Sequence, residues 1–272
     1  MAVIHSTAIV GQKAVIADDA AIEAYAIIED DVVIGSGCSI GSCSRIQSGT
    51  RLGENVRIGH GAALGSRPQD IKFKNEKSYL HIGDGTDIRE FCVLSRGTGE
   101  NGQTRVGKNC FLMAYAHVAH DCVLGDNIIL ANAVNMAGHV TIEDFAIVGG
   151  IVPIHQFVRI GCHSMIGGGF RVPKDVPPYI LAGGEPLIFC GLNSVGLRRR
   201  GFSTETRRAL QQAYRILYRS GLNVLQALER VEEECTQTPE VAHTIAFIRE
   251  SKRGIIAGAR RTRSERMEAD EL

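Results

Sequence analysis

The stretch VGKNCFLMAYAHVAHDCVLGDNIILANAVNMAGHVTIEDFAIVGGIVPIHQFVRI (residues 106–160) decides the fold, because its apolar residues return every six positions. Val106, Leu112, Val118, Leu124, Leu130, Met136, Ile142, Val148, Ile154 and Ile160 keep that step. A helix repeats near 3.6 residues and a plain strand at 2, so six fits neither alone. It fits a short strand plus a turn, repeated, with one inward side chain per unit. Hexads of this kind stack as a parallel β-helix in which each coil covers its neighbour.

The same register extends outward to Ile4 and Val172. Of its 29 positions, 26 are Ile, Leu, Val or Met, too many for chance; the exceptions are Asp70, Glu76 and Glu100. Gly often follows the anchor, as at Gly35, Gly41, Gly107 and Gly149. A small residue there suits a corner where the backbone turns sharply. Residues 66–81 and 95–105 break the hexad but keep its phase. Loops that leave a rigid scaffold and return in register are common functional devices, although a tolerated insertion would look the same.

After residue 173 the hexad ends. Residues 173–186 read as an extended crossover. A helix opens at Ser203 and runs to about Ser220, with Gly221 as its stop signal; a second spans Val224 to Cys235. A third follows Thr238, with Pro239 at its first position. The expected organisation is a β-helix over 1–190, an α-helical domain over 191–258 and a charged, disordered tail over 259–272.

The 272 residues carry no formal net charge, which excludes a globally basic nucleic-acid binder. No stretch approaches the ~18 apolar residues of a membrane span. The first residues lack the basic region and apolar run of a secretory leader. Eight cysteines without a CxxC pair point to reduced thiols and a cytoplasmic location.

If a coil is 18 residues, positions 18 apart stack on adjacent rungs, about 4.8 Å apart. His120 then stacks on Gly138 and Gly138 on Gln156, while Asp121 stacks on His139 and His139 on Phe157. His120, Asp121, His139 and Gln156 thus gather on one edge of the prism, with His117 and His155 close in sequence and Gly138 leaving open space beside His120. A lone His is usually structural. A cluster with a carboxylate points to a general base, because neutral imidazole takes a hydroxyl proton near pH 7 and a carboxylate fixes its tautomer. There is no GxSxG elbow, and the phase of Cys122 marks it as scaffold.

Residues 1–190 resemble the hexapeptide-repeat transferases, which implies three hexads per coil and left-handed winding. The segments AHVAHDC (116–122), NMAGHV (135–140), PIHQF (153–157), DVPPY (175–179) and GLRRRGF (196–202) resemble the UDP-N-acetylglucosamine O-acyltransferase family of lipid A biosynthesis, to about residue 258. That resemblance implies an all-β left-handed parallel β-helix with a smaller C-terminal α-helical domain. It implies transfer of a 3-hydroxyacyl group from acyl carrier protein to the 3-position of UDP-N-acetylglucosamine or a 3-amino analogue. No metal or other cofactor is implied. Residue by residue, it makes His120 the catalytic base and Asp121 its support. It puts Gln69, Asp70, His117, His139, His155 and Gln156 against substrate, and Asn193, Arg199 and Arg200 on the nucleotide and phosphates. It makes Gly168 the position that limits acyl-chain depth.

Two departures stand out: Val195 replaces a frequent nucleotide-contacting Glu, and Phe170 and Arg171 replace smaller residues after Gly168. The run Arg198 to Arg200 and Arg207, Arg208, Arg215 and Arg219 form either a solvated face or a docking surface for acidic carrier protein. A homotrimer with its site between subunits is expected, because loop 66–81 and the histidines lie on different coils. The competing readings are another hexapeptide acyltransferase, either N-acylating or acetyl-CoA-dependent, a zinc hydratase using His117, His120 and His139, and a non-catalytic scaffold.

Overall fold

The computed structural model describes residues 2–258, so the expectation for 259–272 lies outside the described residues. The hexads form three parallel sheets around one axis. Neighbouring coils pair 18 residues apart, as in Val3↔Ala21 and Ile129↔Ile147. The step lengthens to 30 at Arg57↔Asp87 and to 24 at Asp87↔Phe111. The two interruptions therefore add two hexads and one hexad, which is why the phase survives them.

The anchors fill the prism: Ile40, Leu94, Leu130 and Val148 are completely buried. Two residues before most anchors is a second buried position, which often holds a small side chain. Cys38, Cys92, Cys110 and Cys122 all occupy it, as do Ser44 and Thr104. These four of the eight cysteines are therefore core filler.

The glycines after the anchors do a different job from the expected one. The backbone turns two residues later, where Cys43, Asn109, Asp121 and Asn127 have φ between 52° and 59°. The glycine instead lets one coil lie close on the next: a Cβ on Gly41 would stand 2.7 Å from the Ile58 carbonyl oxygen. The turning residues make three columns, one on each prism edge. Asn109, Asn127, Phe145, His163 and Tyr179 mark the first edge, Phe91, Tyr115, Ala133 and Ile151 the second, and Asp121, His139 and Phe157 the third.

Part of the segment read as a crossover is a further rung. Ile180–Gly183 pairs parallel with Met165–Ile166 and antiparallel with Ile188–Leu192. A short helix that the sequence reading lacks, α1 (Ser194–Arg199), follows. Then come α2 (Thr204–Arg219), α3 (Val224–Glu234) and α4 (Pro239–Arg249), capped by Ser203, Asn223 and Thr238, whose side chains accept the free N–H groups of the first turn. The buried face of α2, including Leu210, Tyr214 and Leu217, closes this end of the prism, and the Tyr214 hydroxyl donates to the Pro178 carbonyl at 2.6 Å. At the opposite end Ile4 is 44% exposed and Ile9 64% exposed, since among the described residues no coil covers them.

Helix α4 is tied to the coils by His243, whose Nε2 lies 2.8 Å from Glu143 Oε2. Hydrogen bonding with Cys162 and Glu143 outweighs burial and pushes the imidazolium up to about 10. In the unfolded chain it titrates near ~6.5. Between those values the folded protein keeps a proton that the unfolded chain has released, so this stabilisation is complete below about pH 6.5 and is lost as pH rises through about 10. The urea midpoint of the wild type should therefore exceed that of His243→Gln at pH 6, with the gap closing by pH 10. A gap that ignores pH would show that His243 carries no charge in the fold.

Candidate active site

Both interruptions leave the prism at the third edge, the one that carries Asp121, His139 and Phe157. They join the sheet of Ala63–Ser66 and Val93–Ser95 to that of Tyr79–Ile82 and Gln103–Val106, and the His117–Val118 to Val123–Leu124 turn crosses the same edge. Loop 66–81 and the histidine cluster thus share one edge of one chain, so their separation along the sequence gives no reason to need a second subunit.

His120 Nδ1 lies 2.8 Å from Asp121 Oδ2, and the two side chains are 13% and 15% exposed. Burial pushes the Asp121 carboxyl up, but hydrogen bonds from Thr98 and His120 overcome it and hold the group below its ordinary value. An ionised carboxylate only accepts, so Nδ1 carries the proton and Nε2 is left as the free acceptor. His139 Nε2 is 3.6 Å from the same carboxylate oxygen, its ring meets that of His120 edge-on at 5.3 Å, and it stacks on Phe157 at 4.7 Å. The space expected at Gly138 is filled by the His120 imidazole: a Cβ there would stand 2.6 Å from His120 Cε1. His117 is held neutral, since burial and neighbouring His120 push its pKa down. Burial pushes the Cys122 thiol up to about 12, which removes it as a nucleophile and leaves it as scaffold. The ligand atoms that converge here are those of His120, Asp121 and His139. His117 is not in that set, so the three histidines of the zinc reading do not come together.

Of the other expected site residues, Gln69 is exposed on the first loop, and Asp70 accepts the Lys72 N–H at 2.8 Å. Beside them Ile71 is fully exposed, while Phe73 is buried under the guanidinium groups of Arg67 and Arg96. His155 and Gln156 are exposed one coil beyond His139, on the same edge. Gly168 is not on this edge. It sits at the second edge, where a Cβ would stand 3.1 Å from the Gly150 carbonyl oxygen, and Phe170 folds over Gly167. Asn193, Arg199 and Arg200 lie at the first edge. The Asn193 side chain is 8% exposed; it accepts the Gly196 N–H at 3.2 Å and donates to the His163 carbonyl at 2.9 Å, holding α1 in place. Arg200 stacks on Phe145 at 4.3 Å, Arg199 is exposed, and Val195 is half exposed.

The sequence reading missed two contacts on Asp121. Its backbone N–H donates to Thr104 Oγ1 at 2.8 Å, and Thr98 from the second loop holds both its carboxylate oxygens. Counting back one lengthened coil of 24 residues from Asp121 reaches Gly97, next to Thr98, so the signal was present once the insertion is counted as one hexad.

Residues 175–256 match the family described as UDP-N-acetylglucosamine O-acyltransferase, domain 2, and residues 13–48, 31–66 and 103–138 match bacterial transferase hexapeptide repeats. The acyl-[acyl-carrier-protein]–UDP-N-acetylglucosamine O-acyltransferase of Thiobacillus denitrificans is 45% identical over 195 residues, spanning 71% of this chain and 76% of that protein. The enzyme of the same name from Burkholderia orbicola is 46% identical over 200 residues, spanning 72% and 76%. The solved UDP-N-acetylglucosamine acyltransferase of Francisella novicida superposes with a TM-score of 0.90 at 38% identity, over 93% of this chain and 94% of that one. That of Campylobacter jejuni gives 0.88 at 41%, over 94% and 100%. The architecture is the left-handed β-helix with a small helical domain. With this identity sustained over most of its length, and with a His–Asp pair on the loop-bearing edge, the chain belongs to the acyl-[acyl-carrier-protein]–UDP-N-acetylglucosamine O-acyltransferase family.

Proposed function

We propose that this protein transfers a 3-hydroxyacyl group from acyl carrier protein to the 3-hydroxyl of UDP-N-acetylglucosamine, in lipid A biosynthesis. The observation that carries the mechanism is the 2.8 Å bond between His120 and an ionised Asp121, which leaves Nε2 as a free base on the edge where both loops emerge. Nε2 takes the proton of the sugar hydroxyl as its oxygen attacks the thioester carbonyl. Asp121 stabilises the imidazolium that forms. Collapse of the tetrahedral intermediate breaks the C–S bond, and His120 returns its proton to the departing thiolate. Neutral His117, together with His139, His155 and Gln156, lines the route of sugar and acyl arm, and Gln69 and Asp70 reach the sugar from the first loop.

Arg199 and Arg200 suit the pyrophosphate, but in one chain they sit on a different edge from the base. This supports a homotrimer in which the first edge of one subunit meets the third edge of the next. Asn193 then acts by fixing α1. The outward face of α2 exposes Arg208, Arg215 and Arg219, a surface suited to an acidic carrier protein. Among the described residues no helix is long and apolar enough to cross a membrane.

His120→Ala should lower turnover by about 100-fold or more, the range for a lost general base, while calorimetric binding of the nucleotide sugar changes little. Undiminished turnover would remove His120 from the reaction.

The double variant Arg199→Ala/Arg200→Ala should also be inactive by itself. Co-refolded in equal amounts with His120→Ala, it should regain roughly a quarter of wild-type activity, since random assortment joins one intact base to one intact arginine pair in that share of interfaces. No recovery would mean that each site is built within a single subunit.

Gly168→Met should move acyl preference to shorter chains, each unburied methylene forfeiting about 0.8 kcal/mol. Its close approach to Gly150 offers a second outcome, an unshifted chain-length profile with a lower melting point, which would make Gly168 a packing residue only.

A further inference from the structure

We infer that Thr98 is a positioning residue for the general base, acting through Asp121; the inference rests on His120 being that base. The Thr98 N–H donates to Asp121 Oδ1 at 2.9 Å and its hydroxyl to Oδ2 at 2.6 Å. Oδ2 is the oxygen that meets His120 Nδ1. Two donors from one residue therefore grip both carboxylate oxygens and fix the carboxylate plane, and with it the bond to the imidazole. The hydroxyl bond has the short length of a charge-assisted contact.

The loop around Thr98 is built to deliver it. Its Arg96 guanidinium bonds the carbonyls of Ser48 and Gly65, the Gly97 N–H bonds Tyr79 and the Asn101 N–H bonds Lys77. The Gly99 N–H donates to Glu76 Oε1 at 3.1 Å, which ties this loop to the one carrying Gln69 and Asp70. The fold itself does not require the insertion, because the following coils turn the same edge through His139 and Phe157 without one. The added hexad has a local effect: it places a hydroxyl against a partly buried carboxylate. Hydrogen bonding from that hydroxyl is also the largest influence opposing burial at Asp121.

The variant Thr98→Val keeps the shape and the backbone N–H but removes the hydroxyl. It should lower kcat about 10- to 100-fold, the scale of one hydrogen bond to a charged group, with KM for the nucleotide sugar within about twofold. Thr98→Ser should recover most of the loss. Nitrogen chemical shifts of labelled His120 should report an Nδ1–H tautomer in the wild type and in Thr98→Ser, and a mixture in Thr98→Val. An unchanged tautomer in Thr98→Val would overturn the inference whatever the rate does, as would failure of Ser to rescue. A changed tautomer with undiminished kcat would leave the grip intact and overturn the general-base reading instead.

Discussion

Coil-to-coil register is the constraint on which everything else here depends. Each coil hydrogen-bonds to the next in parallel, and the side chains alternate between the prism interior and solvent. A slip of one residue would turn every anchor outward. An insertion is therefore accommodated only if the chain returns in phase, and both insertions do so by adding whole hexads. The scaffold can carry long loops without distortion, and the cluster of side chains on the third edge rests on that tolerance.

This constraint also explains what could be read from the sequence. The six-residue period is a direct image of the buried anchors, so the β-helix was legible. The 18-residue coil then brought His120, Asp121, His139 and Gln156 to one edge by counting alone. The His139–Phe157 stack and the approach of His139 to Asp121 bear that counting out. The helices α2, α3 and α4 were legible from their caps, whereas α1 has only six residues and leaves no periodic trace.

What the sequence hid were contacts set by geometry across coils. The glycines after the anchors looked like turn residues, yet their role is close approach between coils, and the turns fall on residues such as Asn127 and Asp121. The position of Gly138 looked like open space beside His120, but the imidazole occupies it. Thr98 sits in a loop with no periodicity, so nothing in its own neighbourhood marks it. Phase arithmetic does separate Gly168 from His120, since the two are not a whole number of 18-residue coils apart, but it could not place the arginine pair, which lies past the last hexad. The edge of the arginines depends on where the hairpin after residue 180 ends the coil.

The open end of the prism has a consequence of its own. Among the described residues the first coil has a neighbour on one side only, and Val3, Ile4 and Ile9 are exposed. In a one-dimensional stack, a unit with one interface is held less firmly than a unit with two. Backbone amides should therefore exchange with solvent fastest in this coil and become progressively better protected toward the interior. Fraying would proceed from that end while the His120–Asp121 pair, flanked by coils on both sides, stays assembled. The molecule is a ladder whose loosest rung is kept well away from the one that carries the His–Asp pair.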